Sequence, residues 1–469
     1  LVGLNQIDIN SVCTESRSGT ILHSACKENN LEIVKYITEL PEFDIKAKNK
    51  DGDNALHFAC DKGYFEIVKY LVSLKVYNLN DKNEDGQTCL HLACKSGQLN
   101  VVKHLIGQGH KKIDYKVVDN DNKTILSYAF ESENLDLVEY IVSLKGMDLT
   151  TIDSSNKTLL HVACETGQLD LVKLLIDTKQ IKNDAVDDKG KTMLFYACEN
   201  DDLDLIKYVV SLPGIDVKVK DNDQKTVLHH VCDDKKFEVA KYLISLKKFD
   251  INDKDKKGNT PLHYSFGRYG FELVKYLITS VKGIDVKVKN NNDETILHRA
   301  CESADLETVK YLVELGKFDV TEKGKDSKTL LHYATDNQEI DIIKYLVELN
   351  KIDVAAQDSN GNTVLHMISD KYRPDLEIVD YFVSLNKIDI NLPNNDQDTI
   401  LLMACKNSSG RVDLLKYLSK LNGINLKVKD SNGNNALHIA CSRNHIDIVK
   451  YLISLKVFNL DDKNNDGQT

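Results

Sequence analysis

One pattern returns every 34 residues along this chain, and a repeat of that length limits the possible folds more than composition does. Gly19-Thr-Ile-Leu-His-Ser-Ala-Cys26 comes back as Asp53-Asn-Ala-Leu-His-Phe-Ala-Cys60 and again as Gln87-Thr-Cys-Leu-His-Leu-Ala-Cys94. Its Leu recurs at 13 positions from Leu22 to Leu437, spaced by 34 residues eight times, 35 once and 36 three times. Length alone would divide 469 residues into about three domains. The tiling leaves no linker, so the expected organisation is one continuous solenoid of thirteen repeats over residues 19–465. Residues 1–18 read as the tail of a truncated preceding repeat, and 466–469 as the start of a truncated fourteenth.

Each copy has the same internal grammar. A Thr precedes the apolar stretch in eleven copies, from Thr20 to Thr399, with Asn54 and Asn435 in the other two. Both residue types accept from free N–H groups at a helix start. Leu, then Ala three residues on and Cys at the next position, form one apolar helix face. A polar turn such as Glu165-Thr-Gly-Gln168 leads to a second periodic segment, Leu169-Asp-Leu-Val-Lys-Leu-Leu-Ile176. An extended piece like Ile215–Lys220 and a Gly/Asn/Asp turn like Asp188-Lys-Gly190 complete the unit. Two short helices cannot bury their own apolar face, so stability must come from stacking on neighbours. At a helix spacing of ~8–10 Å, thirteen pairs predict a curved rod on the order of 100 Å long.

Thr-x-Leu-His-x-Ala, a Leu-x-x-Val-Lys-x-Leu helix and a closing Asp-Val/Ile turn, at a 34-residue period, resemble the ankyrin repeat. The resemblance covers essentially the whole chain, and its Lys-, Asn- and Asp-rich flavour is similar to that of large protist ankyrin families. It implies an all-α, right-handed solenoid with β-hairpin fingers, whose first helices line a concave groove that binds other proteins. It also implies that each His bridges its cap and the neighbouring finger. The chain departs from the pattern in places. Pro follows the cap only at Pro261, and the finger Gly stands only at Gly52, Gly86, Gly190, Gly258, Gly361 and Gly433. Asn122 and Asn156 substitute as residues that tolerate φ > 0. Insertions fall at Gly107–Lys112, Ser280–Gly283, Asp370–Pro374 and Asn407–Gly410, so repeat stability should be uneven.

Residue types that could carry chemistry have to be weighed against this periodicity. Seven copies pair His with Cys three residues later, His23/Cys26 for example, a spacing that could give zinc two ligands. No second His or Cys recurs in the same repeat to complete four, so no metal is expected. Nine of eleven Cys occupy that one slot, Cys13 and Cys89 excepted. Slots a helix spacing apart are too distant for disulfides, so free thiols and a reducing, cytoplasmic setting are expected. Eleven of twenty Tyr share one slot in the second helix, usually after Lys. Packing between repeats explains them better than base stacking, because the net charge is −11 and nucleic acid is an unfavourable partner. The Lys/Asp/Asn fingers lack the order of a Ca²⁺ loop. No phosphate-binding loop, nucleophile elbow or His-Glu-x-x-His occurs, so neither an enzyme nor a cofactor is expected.

The remaining prediction concerns binding. Exposed residues after each Cys slot give an acidic run at Glu131, Glu133, Glu165, Glu199, Asp201, Asp233 and Asp234, with Glu302 further on. That run favours a partner protein with a basic surface. Arg268 with Tyr269, and Tyr372 with Arg373, add residue types common at interface hot spots. The expected function is a non-enzymatic protein-interaction scaffold; the rival readings are a regulatory or targeting arm of a larger enzyme or channel, and an elastic spacer. No run reaches the ~20 apolar residues of a membrane span. Leu1 in place of Met, and residues 451–469 matching 70–88 at 15 of 19 positions, lead us to expect a longer natural chain grown by copying repeats. Uncapped ends should self-associate end to end.

Overall fold

The first helix of every unit begins where a Thr or Asn in extended conformation hands over to Leu, Ala and Cys. In the computed structural model, which describes residues 19–107, 113–132, 134–150, 155–267, 269–303, 305–406 and 412–469, this produces 26 α-helices, none longer than ten residues. Helix Leu159–Glu165 buries Leu160, His161, Ala163 and Cys164. It packs on the next first helix, Met193–Asn200, and on its own second helix, Leu169–Thr178. Second helices pack likewise, Phe65–Ser73 on Leu99–Ile106 and Phe271–Ser280 on Leu306–Glu314. The chain is an all-α helical-repeat solenoid. It divides into two units, residues 1–216 and 217–469, each built of such stacked pairs. Among the described residues no helix is long and apolar enough to cross a membrane.

In seven copies a histidine fastens the helix start to the next finger; Ser127, Phe195 and Leu402 take its place in three others. The N–H of Thr88, Thr158, Thr226 and Thr363 donates to the Nδ1 of His91, His161, His229 and His366 at 2.9–3.1 Å. An N–H can only donate, so Nδ1 carries a lone pair and the ring proton sits on Nε2. That proton is given to a carbonyl of the finger: His23 to Asp53 at 2.9 Å, His57 to Asp81 at 3.0 Å, His229 to Asn259 at 3.1 Å. The role implied by the family resemblance is present in those seven copies, whereas Nε2 of His91, His263 and His298 is buried without a hydrogen-bond partner.

Each fully described finger is closed by a backbone bond of its own, such as Asp187 N to Lys191 O at 3.0 Å. The fingers are tight turns led by Asn or Asp, and the one antiparallel bridge between described residues is Lys429–Asn435, so regular β-hairpin strands are not established. The turn is held by its first residue. Oδ1 of Asp187 accepts from the N–H of Lys189 and Lys191 at 2.9 and 2.8 Å, and Asn49, Asp255 and Asp430 do the same. Backbone bonds then run from finger to finger, as from Glu84 N to Asp51 O and from Asn395 N to Asn360 O, both 3.0 Å. At Gly361 (φ +77°) a Cβ would also lie 2.6 Å from Oδ1 of Asn395, so the glycine serves both the turn and the neighbour. Asn122 and Asn156 adopt positive φ as expected; Gln224, Asp293 and Gln397 do so too. One finger breaks the rule: Gly324 replaces the Asn or Asp, and Asp326 and Ser327 both take positive φ.

Of the insertions, Ser280–Gly283 closes a ten-residue helix and Asp370–Pro374 is an irregular link. Most of Gly107–Lys112 and all of Asn407–Gly410 lie outside the described residues, as do Cys13 and residues 1–18.

Burial sets the chemistry of both repeated side chains. Cys26, Cys164, Cys232 and Cys405 are buried and their thiols are pushed up to about 12, whereas Cys441 is exposed. Brief alkylation of the native protein, followed by peptide mapping, should label Cys441 and spare the nine buried thiols among the described residues until denaturant is added. Labelling of Cys60 or Cys301 at the Cys441 rate would overturn this packing. Burial likewise lowers the pKa of His23, His57, His91, His161, His229, His298, His332 and His366, and brings His263 to about 4. Their unfolded value is 6.5, so the unfolded chain binds more protons below it and stability must fall as pH drops from 6.5 towards 4. Each fully neutral His contributes up to about 1.4 kcal/mol per pH unit there. The melting temperature should therefore drop markedly between pH 7 and pH 5; an unchanged value would contradict the neutral-histidine link.

Candidate functional site

The surface where first helices meet fingers is built from two positions that vary between copies. One is the residue between His and Ala: Phe58, Val162, His230, Arg299, Met367 and Met403 are half-exposed there, while Tyr128 and Tyr196 are buried. The other is the residue before the cap, which is Lys123, Lys157, Lys191 and Lys225 in successive copies. The tyrosines turn inward to the finger carboxylate. Tyr128 donates to Asp119 at 2.5 Å, Tyr196 to Asp187 at 2.6 Å and Tyr264 to Asp255 at 2.6 Å, with His230 on Asp221 at 2.8 Å. Burial raises the pKa of Asp119 and Asp187. Their tyrosine and backbone hydrogen bonds outweigh that, and both carboxyls are held below the usual range. Tyr333 has no such partner at Gly324, where a Cβ would sit 2.6 Å from its hydroxyl. It reaches back instead to Glu294 at 2.9 Å.

Over this layer lie the lysines. Lys157 sits 4.5 Å from the Tyr196 ring centroid, Lys123 5.4 Å from Tyr128 and Lys225 4.1 Å from Tyr264. Each also pairs with the acid eight residues later: Lys123 with Glu131 at 2.5 Å, Lys157 with Glu165 at 2.8 Å, Lys191 with Glu199 at 2.5 Å and Lys225 with Asp233 at 3.6 Å. The structure thus brings Glu131, Glu165 and Glu199 into one row in the first unit, and that row is one of paired charges. In the second unit Asp234 meets Lys236 at 3.8 Å, and Glu302 pairs with Arg299. Asp201 is exposed with positive φ, and Tyr269 is 83% exposed. Tyr372 is exposed with the Arg373 guanidinium 5.8 Å from its ring. Glu133 and Arg268 lie outside the described residues.

Carboxylates outnumber lysines at one further place, where Lys371 pairs with Asp336. A cavity of about 360 Å³ is lined by Asp326, Asp336, Asp358 and Asp370 against Lys328 and Lys371, with Met367 and Met403 beside them. Sequence reasoning missed it, although Met at two successive variable positions was a readable signal. The Lys-to-acid spacing of eight residues was equally readable, as was the Asn or Asp that returns at Asn49, Asn83, Asp119, Asp187, Asp221 and Asp255.

The remaining repeated motifs are structural, on physical grounds. Finger Oδ1 atoms are occupied by backbone N–H groups. Second-helix tyrosines bond the preceding second helix, Tyr70 to Thr38 at 2.8 Å and Tyr417 to Asp380 at 2.7 Å. Among the described residues no group of three His, Cys, Asp or Glu is placed to hold a metal ion.

Comparison with known families agrees with this architecture. The model for ankyrin repeats in three copies matches residues 1–81, 72–153, 144–221, 200–290, 267–358 and 349–430, and that for ankyrin repeats in many copies matches 408–453. No curated protein matches the chain.

Asp187 tests the finger. Changing it to Ala strands two backbone N–H groups and the Tyr196 hydroxyl, which should destabilise by about 2–4 kcal/mol. Asp187→Asn keeps the Oδ1 acceptor and should lose much less. Thermal unfolding of the two variants checks the order; equal losses would show that the backbone bonds do not matter.

Proposed function

We propose that this chain, which belongs to the ankyrin-repeat family, is a protein-interaction scaffold that engages its partner across the groove formed by fingers and first helices. Ankyrin repeats are in general protein-binding modules. The observation that carries the reading to this surface is the set of lysine–carboxylate pairs laid over tyrosines, at Lys123, Lys157 and Lys191 in the first unit and at Lys225 in the second. Side chains already held in place lose little freedom on binding. Paired charges select partners more than they add affinity, because a partner must match both signs at once. Glu131, Glu133, Glu165, Glu199, Asp201, Asp233 and Asp234 supply the negative half, with Glu302. Arg268, Tyr269, Tyr372 and Arg373 are further proposed contact residues, by residue type. The acid-rich cavity at Asp326 and Asp370 favours a basic side chain on the partner. The scaffold works inside the cell, as the buried free thiols support, and without catalysis; contact between ends of two copies is a secondary mode.

Quantitative capture from cell extract tests this. Glu131, Glu165, Glu199 and Asp233 are changed together to Lys, beside a control in which the exposed outer-helix residues Glu66, Glu238, Glu272 and Glu307 are changed to Lys. Both variants alter net charge equally. Proteins lost at least about ten-fold from the first and kept by the control are the expected result. Equal loss in both would reduce the effect to net charge, and unchanged capture by the first would remove the groove from the reading.

A further inference from the structure

A second site lies away from the finger face, at the loop ends of the second helices in the unit of residues 217–469. The inserted residues of Ser280–Gly283 lengthen helix Phe271–Ser280 and open a cavity of about 870 Å³ against the end of helix Phe237–Ser245. Four lysines from three segments ring it: Lys218, Lys247, Lys248 and Lys282. Its floor is apolar and half-buried, made by Ile244, Phe249, Ile251, Tyr276 and Val281. Asp250 is the single carboxylate among the lining residues, and its Oδ1 already accepts from Asn252 N at 2.9 Å.

The walls are fixed. Asn252 Nδ2 donates to Gly283 O at 2.8 Å, and its Oδ1 accepts from Asp285 N at 2.9 Å, so one side chain clamps the inserted loop. Tyr276 is held edge-on by Phe237, centroids 5.6 Å apart. Charge sets this place apart from the finger face. Lysines there sit on carboxylates, whereas Lys247, Lys248 and Lys282 have none within ion-pair distance among the described residues. In a chain of net charge −11, three like charges gathered around a single lining carboxylate repel one another, and a bound anion would relieve that repulsion. Ammonium groups on flexible stems suit phosphate oxygens, and an apolar floor suits a flat, poorly hydrated group attached to them.

We propose that this lysine-ringed cavity binds a small soluble phosphorylated molecule carrying a flat apolar group, with Lys247, Lys248 and Lys282 on the phosphates and Phe249, Tyr276 and Val281 beneath the ring. The test uses the full chain in isothermal titration with adenosine triphosphate and with inorganic tripolyphosphate, both without magnesium. Vesicles of phosphatidylcholine with phosphatidylserine form the lipid arm. Both soluble probes should bind, the nucleotide more tightly because only it covers the floor. Changing Lys247, Lys248 and Lys282 together to Glu should weaken binding about 100-fold or more. Asp250→Asn, which keeps the Asn252 hydrogen bond, should tighten it about threefold. The opposite directions of the two variants separate the effect from misfolding. Absence of soluble-probe binding, equal affinity in the triple variant, or capture by vesicles alone would each overturn the proposal.

Discussion

Each copy depends on its neighbour, through apolar stacking everywhere and, in seven copies, through a bond from an imidazole Nε2 to a carbonyl of the next finger along the chain. The geometry of that bond ties a helix start to a turn about 30 residues later, as from His23 to Asp53. The helices it serves have seven or eight residues in most units, too short to hold together in water by themselves. Apolar burial supplies the driving force, through Leu, Ala and Cys packed between neighbouring first helices. The imidazole supplies register, because a shift of one unit against the next would leave Nε2 and a carbonyl unpaired.

Much of this was legible. A period of 34 with Thr, Leu, His, Ala and Cys in fixed places is enough to derive the helix pair, its cap and its buried stripe, since each follows from local physics. The fingers were harder. An extended segment closed by a turn reads as a hairpin, and only the folded chain shows that Asn394 closes its own turn on Asp398 while Asn395 turns its N–H to Asn360 of the previous finger. Charges were harder still. Glu165 was readable as an exposed acid, but Lys157 folds over the helix to reach it, and an eight-residue spacing is no standard helical pair. The acidic run of the sequence is thus a row of dipoles in three dimensions.

That conversion bears on recognition. A uniformly acidic surface would draw any basic protein at long range and lose it to salt. Pairs such as Lys157–Glu165 and Lys191–Glu199 nearly cancel at a distance and act only at contact, where shape and sign must match together. Two surfaces with different electrical character therefore coexist, one of matched pairs over tyrosines and one of unmatched lysines around an apolar floor.

The finger at Gly324 carries a different kind of consequence. Its neighbours are held by an Asn or Asp side chain, while here two residues in the left-handed region stand in and Tyr333 leans back to Glu294. In a one-dimensional array, stability is a chain of links, and cooperativity extends only as far as the weakest of them allows. At Gly324 the side-chain brace is gone while the backbone bonds from Gly324 N to Lys328 O and from Ser359 N to Asp326 O remain, so this finger is joined to the next by main chain over packed helices, and the stack passes on its order there without help from a leading carboxylate.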